Sequence, residues 1–323
     1  MKKVVLIFLI GFSQQVYCQE LFPYLTKDNK WGYVDSEMKM IISPIYESAH
    51  PFAEGLAAVM KDDLFGFLNA QGDLVIECKY YDFIEPSEGL IAVQDARTQK
   101  WGFIDYTGKT VFAFNLDWAG PFVHGLAAVT VNGYSNYTDK LGHPLNEEHY
   151  DFVTDFNEDG YAHVDEGLGK QRVIDTLGNF HDDLSKLPSE GFYIKKENDR
   201  WSMNFGRYGF VRVSDRVEVI LPLYEMVSDF SEGLAPVLKY DRWAYIDTSN
   251  NVVIGFKFND AWTFSDGLAA VQVGDKKGYI NKKGEWIIQP LYDMAGPFRN
   301  GIAEVRVGDV YFYITKQGRE LRE

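Results

Sequence analysis

Apolar residues along this chain come in runs of about five, cut by glycine, asparagine, aspartate and lysine, and the same three runs recur in the same order. The first run is Leu-Ala-Ala-Val-like, as in FAEGLAAV from Phe52, FVHGLAAV from Phe122 and FSDGLAAV from Phe264. The second is aromatic, as in WGYVD at Trp31, WGFID at Trp101 and KGYIN at Lys277, and the third is aliphatic, as in MIISP, LVIEC, TVFAF, VVIGF and WIIQP. Runs this short, rich in β-branched and aromatic residues and bounded by punctuation, predict strands rather than helices. Between the second and third runs stand DYTGK, NAQGD, DTLGN and NKKGE, where glycine supplies the positive φ of a tight turn. In three copies the third run reaches Pro44, Pro222 or Pro290, which cannot donate to a ladder. Each triplet of runs therefore predicts a three-stranded antiparallel meander.

The repeat period comes from the glycine that opens the first run. It falls at Gly55, Gly89, Gly125, Gly160, Gly191, Gly233, Gly267 and Gly301, with spacings of 34, 36, 35, 31, 42, 34 and 34 residues. A period of this size marks a solenoid, a propeller or another array. Units begin near residues 21, 52, 86, 122, 156, 189, 230, 264 and 298, and the array occupies 19–323. One such unit buries too little apolar surface to stand alone, so the core must form where units stack. The recurrent Phe ahead of the glycine turn, and Tyr46, Tyr224 and Tyr292 after the third run, are sized to fill that space. The expected fold is all-β: about nine three-stranded meanders of ~34 residues stacked as an open, curved solenoid with atypical end units as caps. A closed, propeller-like toroid is the alternative.

The second run carries a resemblance. Trp31-Gly32 and Trp101-Gly102 are Trp-Gly pairs, and LFGFLN around Phe65, RYGFVR around Tyr208, RWAYID around Trp243 and KKGYIN around Gly278 occupy the same slot. On these residues the chain resembles the WG-repeat family over essentially its whole mature length, with a worn stretch from Tyr134 to Arg200. The resemblance implies a tandem β-rich repeat and carries no catalytic residues. Glycine after Trp removes a Cβ where a ring or a backbone comes close. Trp31, Trp101 and Trp243 read as packing residues between units, and Gly55, Gly89, Gly125, Gly233, Gly267 and Gly301 as turn positions.

Composition adds destination and exclusions. Residues 1–18, MKKVVLIFLIGFSQQVYC, have the two lysines, short apolar run and cleavage-site pattern of a secretory signal. That run is too short to span a bilayer, so no transmembrane span is expected, and the mature protein is periplasmic or extracellular. A lipidated Cys18 is the rival reading, disfavoured by Gln15 and Tyr17. The formal net charge is −15, and a signal containing two lysines leaves the mature chain more acidic still. With no basic run to offset it, this charge argues against nucleic acid. Removal of Cys18 leaves Cys78 as the only thiol, so no intramolecular disulfide is expected.

Candidate chemistry is sparse. Asp155, Asn157, Asp159, Gly160 and Glu166 fit the spacing of a calcium loop. They also coincide with the fifth repeat turn and are followed by a predicted strand that carries Glu166 away. His143, His149, His163 and His181 match no zinc spacing. The acid ahead of the repeat glycine, at Glu54, Glu88, Glu190, Glu232 and Asp266, recurs once per unit, whereas paired catalytic carboxylates need contrasting environments at one place. No nucleophile elbow, metalloprotease motif or phosphate loop is present. The chain reads as no enzyme, with no cofactor implied. The nonrepeated Trp118, Trp201 and Trp262 are the candidate recognition residues. The leading expectation is an exported, noncatalytic repeat protein that binds another protein or serves as a scaffold. The alternatives are a module that binds cell-wall glycan and a calcium-dependent adhesive array.

Overall fold

A computed structural model describes residues 20–157, 160–167, 171–181, 192–197, 207–212 and 218–323. The signal segment, Gly191 and Trp201 lie outside the described residues. Within them the chain is strands and turns without a helix, and no helix long and apolar enough to cross a membrane occurs.

The three runs of each unit are three consecutive antiparallel strands. In the second unit these are Leu56–Lys61, Leu64–Asn69 and Leu74–Phe83. Leu56 pairs with Asn69 and Lys61 with Leu64, leaving Asp62 and Asp63 as a two-residue hairpin turn with φ of 55° and 61°, the geometry that suits strand twist. The next turn is built by Asn69, whose Oδ1 accepts from the N–H of Gln71 and of Asp73. Gly72 takes φ 87° there.

The structure adds a strand that the pattern of runs does not announce. Ser48–Ala49, Met226–Val227, Asp260–Ala261 and Met294–Ala295 pair with the first run of the unit that follows. Complete units are therefore four-stranded, in the order short strand, first, second, third. Two residues are too few to show alternation, which is why the expected count was three.

The glycine of the Trp-Gly pair has a steric purpose. The third strand bulges across the second, so that a Cβ on Gly66 would stand 2.5 Å from Ile76 O and one on Gly278 2.5 Å from Ile288 O. No side chain fits at such distances without moving the strand. Ala244 holds this slot in the seventh unit, and the register Tyr245↔Ile254 is kept there. Larger residues are found only where a regular third strand is missing among the described residues. Asn136 faces Val129 in the fourth unit, Arg172 faces Val164 in the fifth and Phe312 faces Val305 in the last. Behind them come an irregular loop, the two-residue strand Phe180–His181 and the chain end.

Packing between units follows one rule. The aromatic residue after the Trp-Gly slot meets the Phe that opens the next unit: Tyr33–Phe52 at 5.1 Å between centroids, Phe103–Phe122 at 5.0 Å, Tyr137–Phe156 at 4.5 Å, Phe210–Phe230 at 4.7 Å, Tyr245–Phe264 at 5.0 Å and Tyr279–Phe298 at 4.7 Å. Where Pro86 replaces that Phe, Phe83 packs edge-on to Phe67 instead. The buried tyrosine hydroxyls are satisfied across the same joint. Tyr33 donates to His50 O at 2.8 Å, Tyr137 to Thr154 O at 2.7 Å, Tyr245 to Trp262 O at 2.7 Å and Tyr279 to Gly296 O at 2.8 Å. Burial raises the pKa of all four hydroxyls, so they remain donors at neutral pH. Trp31, Trp101 and Trp243 are buried in the same cores.

An open stack with separate caps is not confirmed, because the first and last described residues touch. Leu25 N–H donates to Leu321 O at 3.1 Å and Glu323 N–H to Leu25 O at 3.0 Å, while Leu321 N–H donates to Tyr313 O at 2.8 Å. The last residues thus lie between the first strand, Phe22–Leu25, and Val310–Thr315. Trp31 meets Tyr313 edge-on at 5.8 Å, and one hydrophobic cluster holds Leu21, Leu25 and Trp31 together with Phe298, Phe312 and Leu321. The two ends are joined.

Candidate functional site

Glu190 lies outside the described residues. The other recurrent acids, Glu54, Glu88, Glu232 and Asp266, are clasps between units. Each sits in the left-handed region, with φ of 47° at Glu54, 50° at Glu88, 53° at Glu232 and 55° at Asp266, a conformation that costs a residue with a Cβ about 1 kcal/mol. It aims the carboxylate forward, at the same turn of the next unit. Glu54 accepts from Glu88 N–H at 3.0 Å, Glu88 from Gly125 N–H at 3.0 Å, Glu232 from Gly267 N–H at 3.0 Å and Asp266 from Gly301 N–H at 2.8 Å. A residue from a later turn covers each acid: the Tyr106 hydroxyl on Glu54, Lys140 on Glu88 at 2.9 Å, Lys282 on Glu232 at 2.9 Å and Lys316 on Asp266 at 3.8 Å. The neighbouring serines repeat the gesture, with Ser231 Oγ donating to Phe264 O at 2.7 Å and Ser265 Oγ to Phe298 O at 2.6 Å. The Tyr106 hydroxyl holds Glu54 below the ordinary carboxylate pKa. At Glu88 and Glu232 burial opposes ionisation, but Lys140, Lys282 and the glycine N–H groups outweigh it and hold both low. These carboxylates are fully engaged in joining units.

The place where the repeat pattern breaks is different. In the fourth unit Asn136 stands where five other units have glycine, and the chain after Asp139 meets the second strand on either side of it, with Leu145 N–H donating to Tyr137 O at 2.9 Å. The Asn136 amide donates to Asn146 O at 3.0 Å and Glu148 O at 2.8 Å, holding the outer chain off at side-chain length. Tyr150 regains the ladder, exchanging N–H···O bonds with Ser135. Between strand and loop a groove of about 590 Å³ opens, within the usual size of a ligand site. Val129, Val131 and Pro144 give it an apolar lining, and Tyr134 and His149 stand edge to face with centroids 5.5 Å apart. Tyr134 is 55% exposed. Glu147 and Glu148 lie on the lip, and among the described residues neither carboxylate has an ion pair or a hydrogen-bond donor. No lysine or arginine lines the groove.

Of these groove residues only His149 was weighed from the sequence, and then as a metal ligand. The one available signal was the slot itself, where YSNYTD replaces the Trp-Gly pair.

The aromatic candidates fall elsewhere. Trp118 is 39% exposed, opposite Thr130 on the fourth unit's sheet, and Trp262 is 38% exposed on the eighth. The Lys277 ammonium lies 5.5 Å from the Trp262 ring. The two tryptophans stand on different sheets and neither lines the groove. Trp201 lies outside the described residues.

Two residues of the calcium-like spacing make other contacts. Glu166 pairs with Arg172 at 3.0 Å, and Asn157 Oδ1 accepts from Tyr161 N–H at 3.0 Å, closing a turn. Burial raises the pKa of Asp155, and Asp159 lies outside the described residues. Among those described, no three His, Cys, Asp or Glu residues are grouped to hold a metal ion. The histidines have local partners: His143 meets Asp139 at 3.1 Å and His181 meets Asp175 at 2.9 Å. Cys78 is half-buried, with its thiol pKa raised by burial, the state of an inert thiol.

Comparison with known proteins fits this geometry. No curated protein matches the sequence. Among solved structures, the crystal structure of a eukaryotic initiation factor is similar over 94% of this chain and 95% of its own, at 12% identity and a TM-score of 0.58, a likeness of fold alone. Kluyveromyces lactis Hsv2p (10% identity, 89% and 91% covered, TM-score 0.37) and the WD40 domain of Neurospora crassa Pan2 (12%, 72% and 84%, 0.32) are more distant. The model of the WG containing repeat matches residues 31–65, 65–95, 101–134, 208–243, 243–276 and 278–311. The third match ends at Tyr134, within the groove lining. With six repeats matched over the greater part of its length, the chain belongs to the WG containing repeat family.

Proposed function

We propose that this protein is an exported, noncatalytic interaction scaffold whose units close into a ring and whose fourth unit docks a protein partner in the groove beside Tyr134. Closure is supported by the hydrogen bonds of Leu25 to Leu321 and Glu323. A ring without free end units gives a rigid frame, and rigidity lowers the ordering cost of docking. The observation that carries the docking role is the groove, which pairs an apolar lining and an exposed ring with carboxylates that serve no clasp. Elsewhere the recurrent acids and tyrosines are committed to joining units, and a site made from committed groups has little left to offer a ligand.

The test is partner capture from envelope extract by the mature chain, by a Tyr134→Ala variant and by a Trp262→Ala variant. Capture that is lost with Tyr134→Ala and kept with Trp262→Ala supports the reading. Capture indifferent to Tyr134, turnover of a substrate, or saturable binding of a neutral cell-wall oligosaccharide in the groove overturns it. Export is checked separately, by N-terminal sequencing of the protein recovered outside the cytoplasm; the expected first residue is Gln19.

A further inference from the structure

We infer that the occupant of the fourth-unit groove is a cationic side chain, a lysine or arginine presented by a basic segment of the partner. This rests on the reading of the groove as a docking site and adds the chemistry that selects what docks. Four features converge on it. The carboxylates of Glu147 and Glu148 are exposed and unpaired among the described residues, whereas Glu88, Glu232 and Asp266 each already hold a lysine. The Tyr134 ring stands exposed beside them, and an aromatic face attracts a cation within about 6 Å. Val129, Val131 and Pro144 line the groove with apolar surface along which the methylene stem of such a side chain can lie while its head reaches the carboxylates. With no lysine or arginine in the lining and a formal net charge of −15 over the chain, an anionic group meets repulsion both at the lip and at long range.

The arrangement also explains why the site sits in this unit. Glycine in the slot brings the outer strand down onto the second strand and leaves no room. Asn136 holds that segment away, and the segment so displaced carries Glu147 and Glu148 to the lip.

The probe is a short acetylated and amidated peptide alternating glycine and arginine, with a citrulline copy as its uncharged isostere, titrated into the full mature chain by calorimetry. The expected result is saturable binding of the arginine peptide and binding of the citrulline copy weaker by about fivefold or more. The double variant Glu147→Gln/Glu148→Gln and the single variant Tyr134→Ala should each weaken the arginine peptide by about fivefold. The double variant Asp62→Asn/Asp63→Asn makes the same change in net charge on a hairpin of the second unit and should weaken it by less than about twofold. Circular dichroism establishes that each variant is folded. Equal weakening by the two double variants would reduce the effect to general attraction by an acidic protein and overturn the inference. So would citrulline and arginine peptides that bind alike. If neither peptide binds while partner capture still depends on Tyr134, the cationic occupant is wrong and the docking site stands; loss of both dependences removes the site as well.

Discussion

The second and fourth units begin alike and finish differently. Both carry an Ala-Ala-Val strand, Leu56–Lys61 in one and Leu126–Val131 in the other, followed by a two-residue hairpin turn and a second strand in the same register. Val59 faces Gly66 in one unit, and Val129 faces Asn136 in the other. From that single position the units part: a ten-residue outer strand, Leu74–Phe83, lies on Gly66, while the chain after Asp139 stands off Asn136 and a groove opens. A glycine or alanine at this slot goes with a regular third strand, and a larger side chain with a unit that lacks one among the described residues.

The comparison breaks most sharply at the glycine. Gly278→Val puts side-chain carbon where Ile288 O already lies, and urea unfolding should show a loss of about 3 kcal/mol or more. Asn136→Val, at the equivalent position, has no regular third strand to strike and should lose only the side chain's hydrogen bonds to Asn146, Glu148 and Tyr137 N–H, about 1–2 kcal/mol. Equal costs would mean that the slot does not set the spacing. The clasps come next in size. Glu88→Ala strips the bonds to Gly125 N–H and Lys140 and should cost about 1–2 kcal/mol, since the carboxylate is partly exposed. Glu147→Ala in the groove should fall within about 0.5 kcal/mol of the parent. Tyr279→Phe removes one hydroxyl from Gly296 O and should cost about 1 kcal/mol; the loss is modest because Phe67, Phe103 and Phe210 hold the same slot in other units.

Acid separates the two kinds of carboxylate most gently. Glu54, Glu88 and Glu232 have folded pKa values below their unfolded ones. The stability they contribute is fully present above about pH 4.3 and is lost as pH falls through the lower folded values. Asp175 behaves likewise: burial opposes ionisation, but His181 and Asn179 hold its pKa to about 2, so its share is lost only as pH falls toward that value. Glu85 and Glu304 run the other way. Burial raises their pKa values, so protonation on mild acidification relieves a cost before the clasps begin to fail. Unfolding midpoints measured from pH 7 to pH 2 should therefore hold or rise slightly before dropping below about pH 4. In Glu88→Gln that drop should be shallower.

Much of the fold was legible in the chain because it is local. The five-residue runs, the asparagine and glycine turns and the period near 34 residues each depend on neighbours a few positions apart, and they recur as strands and hairpins. The Trp-Gly pair marked a close approach, and the bulged third strand makes that approach. What escaped was short or distant. The short strand that precedes the first run has two residues in most units, too few for a pattern. The carboxylate of Glu88 finds its partner 37 residues on, so the sequence revealed its recurrence and not its purpose. The groove was visible only as a worn copy: YSNYTD departs from the pattern, but nothing in those six letters says whether a departure fills space or leaves it.

The amino-acid sequence by itself determined the unit, its strands and turns, and the order in which aromatic residues are offered to the next copy, because alternation and turn geometry are settled between near neighbours. The tertiary structure alone decided that Leu321 returns to Leu25 and that Asn136 holds a loop away from its strand, because each depends on how a rigid array curves through space. Small rotations from unit to unit add up along the chain, and where the sum brings two surfaces together is not written in any one repeat.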